Sequence, residues 1–226
     1  MKKLERQEAP DCLSNFKHGV DSWGAVPKDE IWSKLEQMQG EFCAYCECRL
    51  KGKSKHIEHF RKRETFPDKA FNWGNLFGSC GDPQKTGGWG RCGIYKDNRK
   101  LNPPCDINKL IKPDEEDPGD YLLFLISGHV VPQRNLCDRE RQKAEETIRV
   151  FNLNNDTSLF NSRKNTIEYI KNEIITLYEF LDDINDSDCQ SWQEWEKLRE
   201  EYTKEIKGKE FQTALEHAWR YNRDYA

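Results

Sequence analysis

Residues 42–60, F-C-A-Y-C-E-C-R-L-K-G-K-S-K-H-I-E-H-F, together with 71–80, F-N-W-G-N-L-F-G-S-C, and 91–98, R-C-G-I-Y-K-D-N, decide how this chain is read. A Cys-x-x-Cys pair sets two thiolates about one tight turn apart, which suits two corners of a tetrahedral zinc site with Zn–S distances of about 2.3 Å. Cys43 and Cys46 make such a pair. Cys80 and Cys92 make the second, separated by the Gly-rich insertion D-P-Q-K-T-G-G-W-G, whose glycines let a long loop fold back on itself. Cys48 alternates with Cys46 and is a substitute ligand. Free cysteines are commonly just buried thiols, but several within one short, charged stretch favour a structural Zn²⁺ site.

Between the pairs stands His56-Ile-Glu-His59. In an extended segment side chains alternate, so His56 and Glu58 share one face and His59 takes the other unless the strand ends there. A carboxylate beside an imidazole suits metal-assisted hydrolysis: Glu58 is a hard oxygen ligand for Mg²⁺ or Mn²⁺, and His59 can take a proton from water. Arg49 to Lys69 holds eight Lys and Arg against three acidic residues, although the whole chain carries a formal charge of −4. Field decays over roughly 8 Å at physiological salt, so this local excess matters more to a polyanion than the total. Lys53, Lys55, Arg61, Lys62, Arg63 and Lys96 are the candidate phosphate contacts.

The order Cys-x-x-Cys, Glu-His, Asn-Leu before Cys, then Cys-Gly-x-x-Lys-Asp-Asn resembles the zinc-containing HNH endonucleases. More narrowly, H-I-E-H-F-R, W-G-N-L-F-G-S-C and C-G-I-Y-K-D look similar to the HNH nucleases of retron and Septu anti-phage systems, the PtuB-like proteins. The resemblance implies a ββα-metal core that is treble-clef-like, with His59 as base, Glu58 as the acidic metal position and Asn75 bracing the loop that carries the base. Many members have His where this chain has Gly93, which leaves Asp97 or Asn98 as the last metal ligand, with His56 a further candidate for that shell. It also implies phosphodiester hydrolysis of DNA, or of RNA such as tRNA. The implied partners are a PtuA-like ATPase and, in retrons, a reverse transcriptase with its RNA–DNA product. This chain has no G-x-x-x-x-G-K-[ST] loop with which to bind a nucleotide itself.

Around this core the chain is 35% hydrophobic and 34% charged. Its longest apolar run, Tyr121 to Ile126, is strand-sized, so no membrane partner is expected. The first residues lack an apolar signal region, and the expected compartment is the cytoplasm. Nine cysteines in that reducing setting argue against a disulfide framework. Residues 1–27 read as an irregular arm with Phe16, Trp23 and Pro27 as anchors. Residues 28–135 read as the nuclease core, with a helix from Lys28 stopped at Gly40 and a β-hairpin turning at Ser127 and Gly128. Residues 136–226 read as helical: one helix carrying Ala144, Ile148 and Phe151, one from Leu159 to Leu181, and a final stretch from Ser191 to Arg220. The expected class is α+β, a zinc-braced ββα core followed by an all-helical region. The rival reading is a non-catalytic zinc-knuckle module that binds nucleic acid or protein; it holds if neither Asp97 nor Asn98 reaches the space near Glu58 and His59.

Overall fold

The helix predicted from Lys28 forms as α1 (Lys28–Gln39), burying Ile31, Leu35 and Met38 along one stripe and ending at Gly40, φ +68°. The computed structural model describes residues 1–221 other than 53, 83, 85–89 and 184–188. At the end of α1 the Gln39 amide clasps the backbone of Gly78 from both sides, donating to its carbonyl and accepting from its N–H, each at 2.9 Å. That clasp fixes the helix on strand β2 (Leu76–Cys80), which pairs antiparallel with β1 (Lys55–His59). The register sets Lys55 opposite Cys80 and His59 opposite Leu76. Helix α2 (Cys92–Asp97) packs against both strands and completes a β-β-α unit. The mixed α+β class expected from the sequence is the one observed.

The predicted arm is more ordered than its composition suggests. It holds two 3-10 turns, Asp11–Asn15 and Trp23–Ala25, and buries Leu4, Leu13 and Val26. Arg6 anchors it: the guanidinium lies 4.8 Å from the Trp73 ring and 4.7 Å from Phe77, and donates to the carbonyl of Trp73 at 2.7 Å.

The expected hairpin forms from β3 (Leu122–Phe124) and β4 (Val130–Pro132), closed by Leu125 N–H donating to the His129 carbonyl at 2.8 Å. Helices α3 (Asp138–Val150) and α4 (Thr157–Asp183) follow near their predicted places. Ile167 and Ile170 of the expected α4 stripe are buried, and the side chains at 174, 177, 180 and 181 lie outside the described residues.

The final stretch differs from expectation: it is two helices, α5 (Cys189–Ile206) and α6 (Gln212–Tyr221). Gly208 (φ +75°) and Phe211 (φ +57°) turn the chain between them. The turn brings Phe211 N–H to the Glu47 carbonyl at 3.2 Å and Thr213 N–H to the Glu47 carboxylate at 3.0 Å, so α6 docks on the first cysteine knuckle. One hydrophobic core joins the arm, the knuckle, both strand pairs and helices α1, α3 and α6 with the start of α4, with Phe151 stacked on Tyr45 at 4.1 Å between ring centroids. Among the described residues no helix is long and apolar enough to cross a membrane.

Candidate active site and metal centre

Cys43 and Cys46 lie in a knuckle framed by the Phe42–Arg49 bridge, Cys80 ends β2, and Cys92 opens α2 at φ +57°. All four are buried, and their sulfurs lie within 4.8 Å of one another. A tetrahedron with Zn–S bonds of about 2.3 Å has edges of about 3.8 Å, and Cys46 Sγ lies 3.8 Å from Cys80 Sγ. Four soft donors at that spacing fit zinc and leave no open coordination position. Cys48 sits outside the four, its sulfur 3.3 Å from that of Cys46. Cys12 is buried, Cys105 half-buried and Cys137 exposed, all away from the cluster and free.

The second centre is a cleft of about 1050 Å³ lined by His56, Glu58, His59, Gly93, Asp97 and Asn98, with Trp23, Lys28 and Trp32 on its walls. Glu58 and His59 reach the same cleft because His59 is the last residue of β1, where alternation stops. Glu58 is buried, with Oε2 3.2 Å from His56 Nε2 and Oε1 3.0 Å from Lys96 Nζ. Burial alone would raise its pKa, but the Lys96 ammonium and His56 hold it down to about 2. Asp97 is pushed up to about 6 by burial and by the Glu58 charge, against the pull of Lys96.

Glu58 and Asp97 are hard oxygen donors of the kind that Mg²⁺ and Mn²⁺ accept. A Cβ on residue 93 would stand 2.3 Å from Glu58 Oε2. Glycine at that position is therefore what allows the carboxylate to lie there; Glu58 and Asp97 have the donor chemistry of a hard-cation pair, with the Lys96 ammonium between them. Asn98 lines the cleft beside Asp97; its side-chain oxygen accepts from Lys100 N–H at 3.0 Å, while Asp97 Oδ1 pairs with Lys96. His56 faces acceptors on both ring nitrogens, the Gly81 carbonyl at 3.1 Å and Glu58 at 3.2 Å. Burial disfavours its charged form, yet Glu58 raises its pKa overall. Both ring nitrogens are thus engaged within the protein, by the Gly81 carbonyl and by the Glu58 carboxylate beside which His56 lines the cleft.

His59 Nε2 lies 3.0 Å from the Ala70 carbonyl. A carbonyl only accepts, so Nε2 carries the proton and Nδ1 carries the lone pair. Burial lowers its pKa to about 4 against the Ala70 bond, so the imidazole is neutral near pH 7. The Trp23 ring meets it edge-on at 4.4 Å between centroids. Asn75, also buried, ties down the loop that follows. Its Oδ1 accepts from Arg61 N–H at 2.7 Å, while Nδ2 donates to the carbonyls of Arg61 at 3.0 Å and Lys69 at 3.1 Å.

The expected basic contacts scatter. Lys62 and Arg63 line the cleft. Lys55 pairs with Glu36 at 3.1 Å over the Trp32 ring, and Arg61 donates to Asn108 at 2.9 Å. Lys53 lies outside the described residues. Lys96, expected to grip phosphate, instead has a side chain 3% exposed and bridges Glu58 and Asp97, because its stem packs inward from α2. Sequence reasoning missed Trp23 and Lys28, which come from the arm and from the start of α1 and carry no local motif.

No protein-family model matches the chain. It is 39% identical over 155 residues to the Septu protein PtuB of Bacillus thuringiensis, an alignment covering 67% of this chain. The chain spans about half, 51%, of the length of that relative. The resemblance read from the cysteine and Glu-His motifs thus holds at family level: over two thirds of its length this is a Septu PtuB-like chain.

Proposed function

We propose that the chain is an HNH-type endonuclease that hydrolyses phosphodiester bonds as the effector of an anti-phage defence system. The observation that carries the reading is His59, neutral, with Nε2 locked on Ala70 and its Nδ1 lone pair left for water, in the same cleft as Glu58 and Asp97. His59 accepts the proton of the attacking water at Nδ1, and the bond to Ala70 keeps the ring from turning as it does so. Asn75 holds loop 61–69 against β2 and so fixes where that ring stands relative to the substrate. Glu58 and Asp97 would hold one Mg²⁺ or Mn²⁺, which when bound supplies stabilisation of developing negative charge on the phosphate. Lys62 and Arg63 draw the backbone into the cleft, and zinc at Cys43, Cys46, Cys80 and Cys92 is structural.

The same family likeness supports control by a PtuA-like ATPase and, in a retron setting, association with a reverse transcriptase and its RNA–DNA. DNA is the favoured substrate and RNA such as tRNA the alternative, since a core that grips phosphates reads no base edges. A specific observation favours the rival, a non-catalytic zinc-knuckle module: among the described residues the four cysteines are the one cluster of three or more metal-ligating side chains, and Lys96 stands between Glu58 and Asp97. A cleavage assay separates the two. Plasmid, single-stranded DNA and total RNA are incubated with Mn²⁺ or EDTA, with and without the ATPase. Metal-dependent cutting of any of them supports the nuclease; none under any condition, with nucleic-acid binding retained, supports the module.

A further inference from the structure

Lys96 is the charged group for which the reading above has no task. Its ammonium is buried with three oxygens from three residues: Glu58 Oε1 at 3.0 Å, Asp97 Oδ1, and the His59 carbonyl at 3.3 Å. A buried lysine is costly unless its partners compensate, and here those partners are the two carboxylates that also fit a hard divalent cation. An oxygen cage of this kind is what such a cation seeks. A second cavity, about 310 Å³, is lined by Lys96 itself with Asp97, Asn102 and Asp106, and also by the cations Lys62 and Arg99. It provides a volume and an acidic neighbour toward which the stem can swing.

We propose that Lys96 is a tethered cation that holds the catalytic-metal position in the metal-free chain, and that Mg²⁺ or Mn²⁺ enters by displacing its ammonium toward the cavity lined by Asp106. The inference rests on the reading of this cleft as a hard-cation site. Without the ion, Lys96 neutralises two carboxylates that would otherwise repel each other inside the protein. With the ion bound, an ammonium left in place would oppose it. Lys96 is accordingly a positioning residue: it touches the carboxylates and not the phosphate, and its presence sets how much free metal the cleft requires.

The test reads metal binding and structure, not cleavage. Zinc-loaded full-length chain and its Lys96→Met variant are titrated with Mn²⁺ calorimetrically, and each is melted with and without Mn²⁺. Removing the opposing charge should tighten Mn²⁺ binding at least about tenfold. The metal-free variant should melt below the metal-free wild type and recover when saturated. Unchanged or weaker Mn²⁺ binding in the variant overturns the proposal, as does absence of binding in both proteins. Should Lys96→Met fail to fold, a crystal structure of the wild type soaked in Mn²⁺ decides. Anomalous density at Glu58 and Asp97 with Nζ moved toward Asp106 supports displacement, and Nζ still on Glu58 contradicts it. A chain that binds Mn²⁺ in this Lys96-dependent way but cuts nothing fails the nuclease reading and leaves this one standing.

Discussion

One pair of strands serves both centres: Cys80 closes β2 at the end of the ladder opposite Lys55, while Glu58 and His59 close β1 at the other end, opposite Phe77 and Leu76. At the first end four thiols converge on a single point, all buried, with a fifth beside them. At the second, two carboxylates and two histidines line a cleft, with the buried Lys96 bridging the carboxylates. The thiol site can be satisfied by one ion and then has nothing left to do, which is the state a structural centre needs. The charges of the cleft balance only by sharing, each with its proton affinity moved from its ordinary value, which is the condition in which groups become available for chemistry. Proximity on one hairpin therefore does not imply a common role.

The largest effect expected from breaking this contrast is at the thiols. Cys43→Ser or strong chelation should unfold the core, because the binding energy of structural zinc, on the order of 10–16 kcal/mol in small zinc peptides, is largely folding energy. Circular dichroism with elemental analysis checks it: about one zinc per chain is expected, and a zinc-free protein that melts like the wild type would place the two centres in the same class after all.

A second expectation sharpens the comparison through pH. His59 has its pKa lowered to about 4 in the folded chain against an ordinary value near 6.5, so the unfolded state binds its proton first as pH falls. Its neutral form is carried at no cost above pH 6.5. Stability should then decline as pH drops from 6.5 toward 4, by a share on the order of 3 kcal/mol. Asp97, raised to about 6 from a usual 3.8, acts oppositely: the folded state gains its proton first, which adds stability as pH falls through that range. Comparing urea unfolding of wild type and His59→Gln from pH 7 to 4 isolates the histidine share. Parallel curves would show that burial does not hold His59 neutral.

Asn75→Ala is next in size. It removes three side-chain hydrogen bonds to loop 61–69 and leaves partly buried backbone groups without that partner, at about 1–3 kcal/mol. A lower melting temperature with zinc content unchanged is expected, together with slower cleavage. Smallest of all, Lys62→Ala should weaken nucleic-acid binding and reduce its salt slope by about 1, whereas Lys55→Ala, paired with Glu36 outside the cleft, should change it less. Equal slopes would mean that the cleft is not where the backbone lies.

Much of the architecture was legible in residues adjacent in sequence. The Cys-x-x-Cys spacing, the period-two run from Lys55 and the stripe of Ile31, Leu35 and Met38 each encode local geometry, and each produced the element observed. What escaped depends on tertiary contact. Lys96 reads as one more basic residue, and only the packing of α2 on β1 turns it inward onto Glu58. Trp23 stands 36 positions before His59, and no pattern announces that the arm will fold across the cleft. The break between α5 and α6 falls at Gly208, inside a stretch whose apolar spacing reads as one helix, and its consequence, the docking of α6 on Glu47, belongs to the fold. Gly93 reads as a missing ligand in the sequence and as room for a carboxylate in the structure.

The most direct measurement of the account is the single-turnover cleavage rate of zinc-loaded wild type and His59→Ala, with Mn²⁺ and the ATPase partner present, on whichever nucleic acid the wild type cuts. A positioned general base typically contributes about 10² to 10⁴ in rate. The account predicts a loss of that size in His59→Ala, with zinc content and circular dichroism spectrum unchanged and a smaller loss in His56→Ala. Cleavage by His59→Ala at the wild-type rate would contradict it.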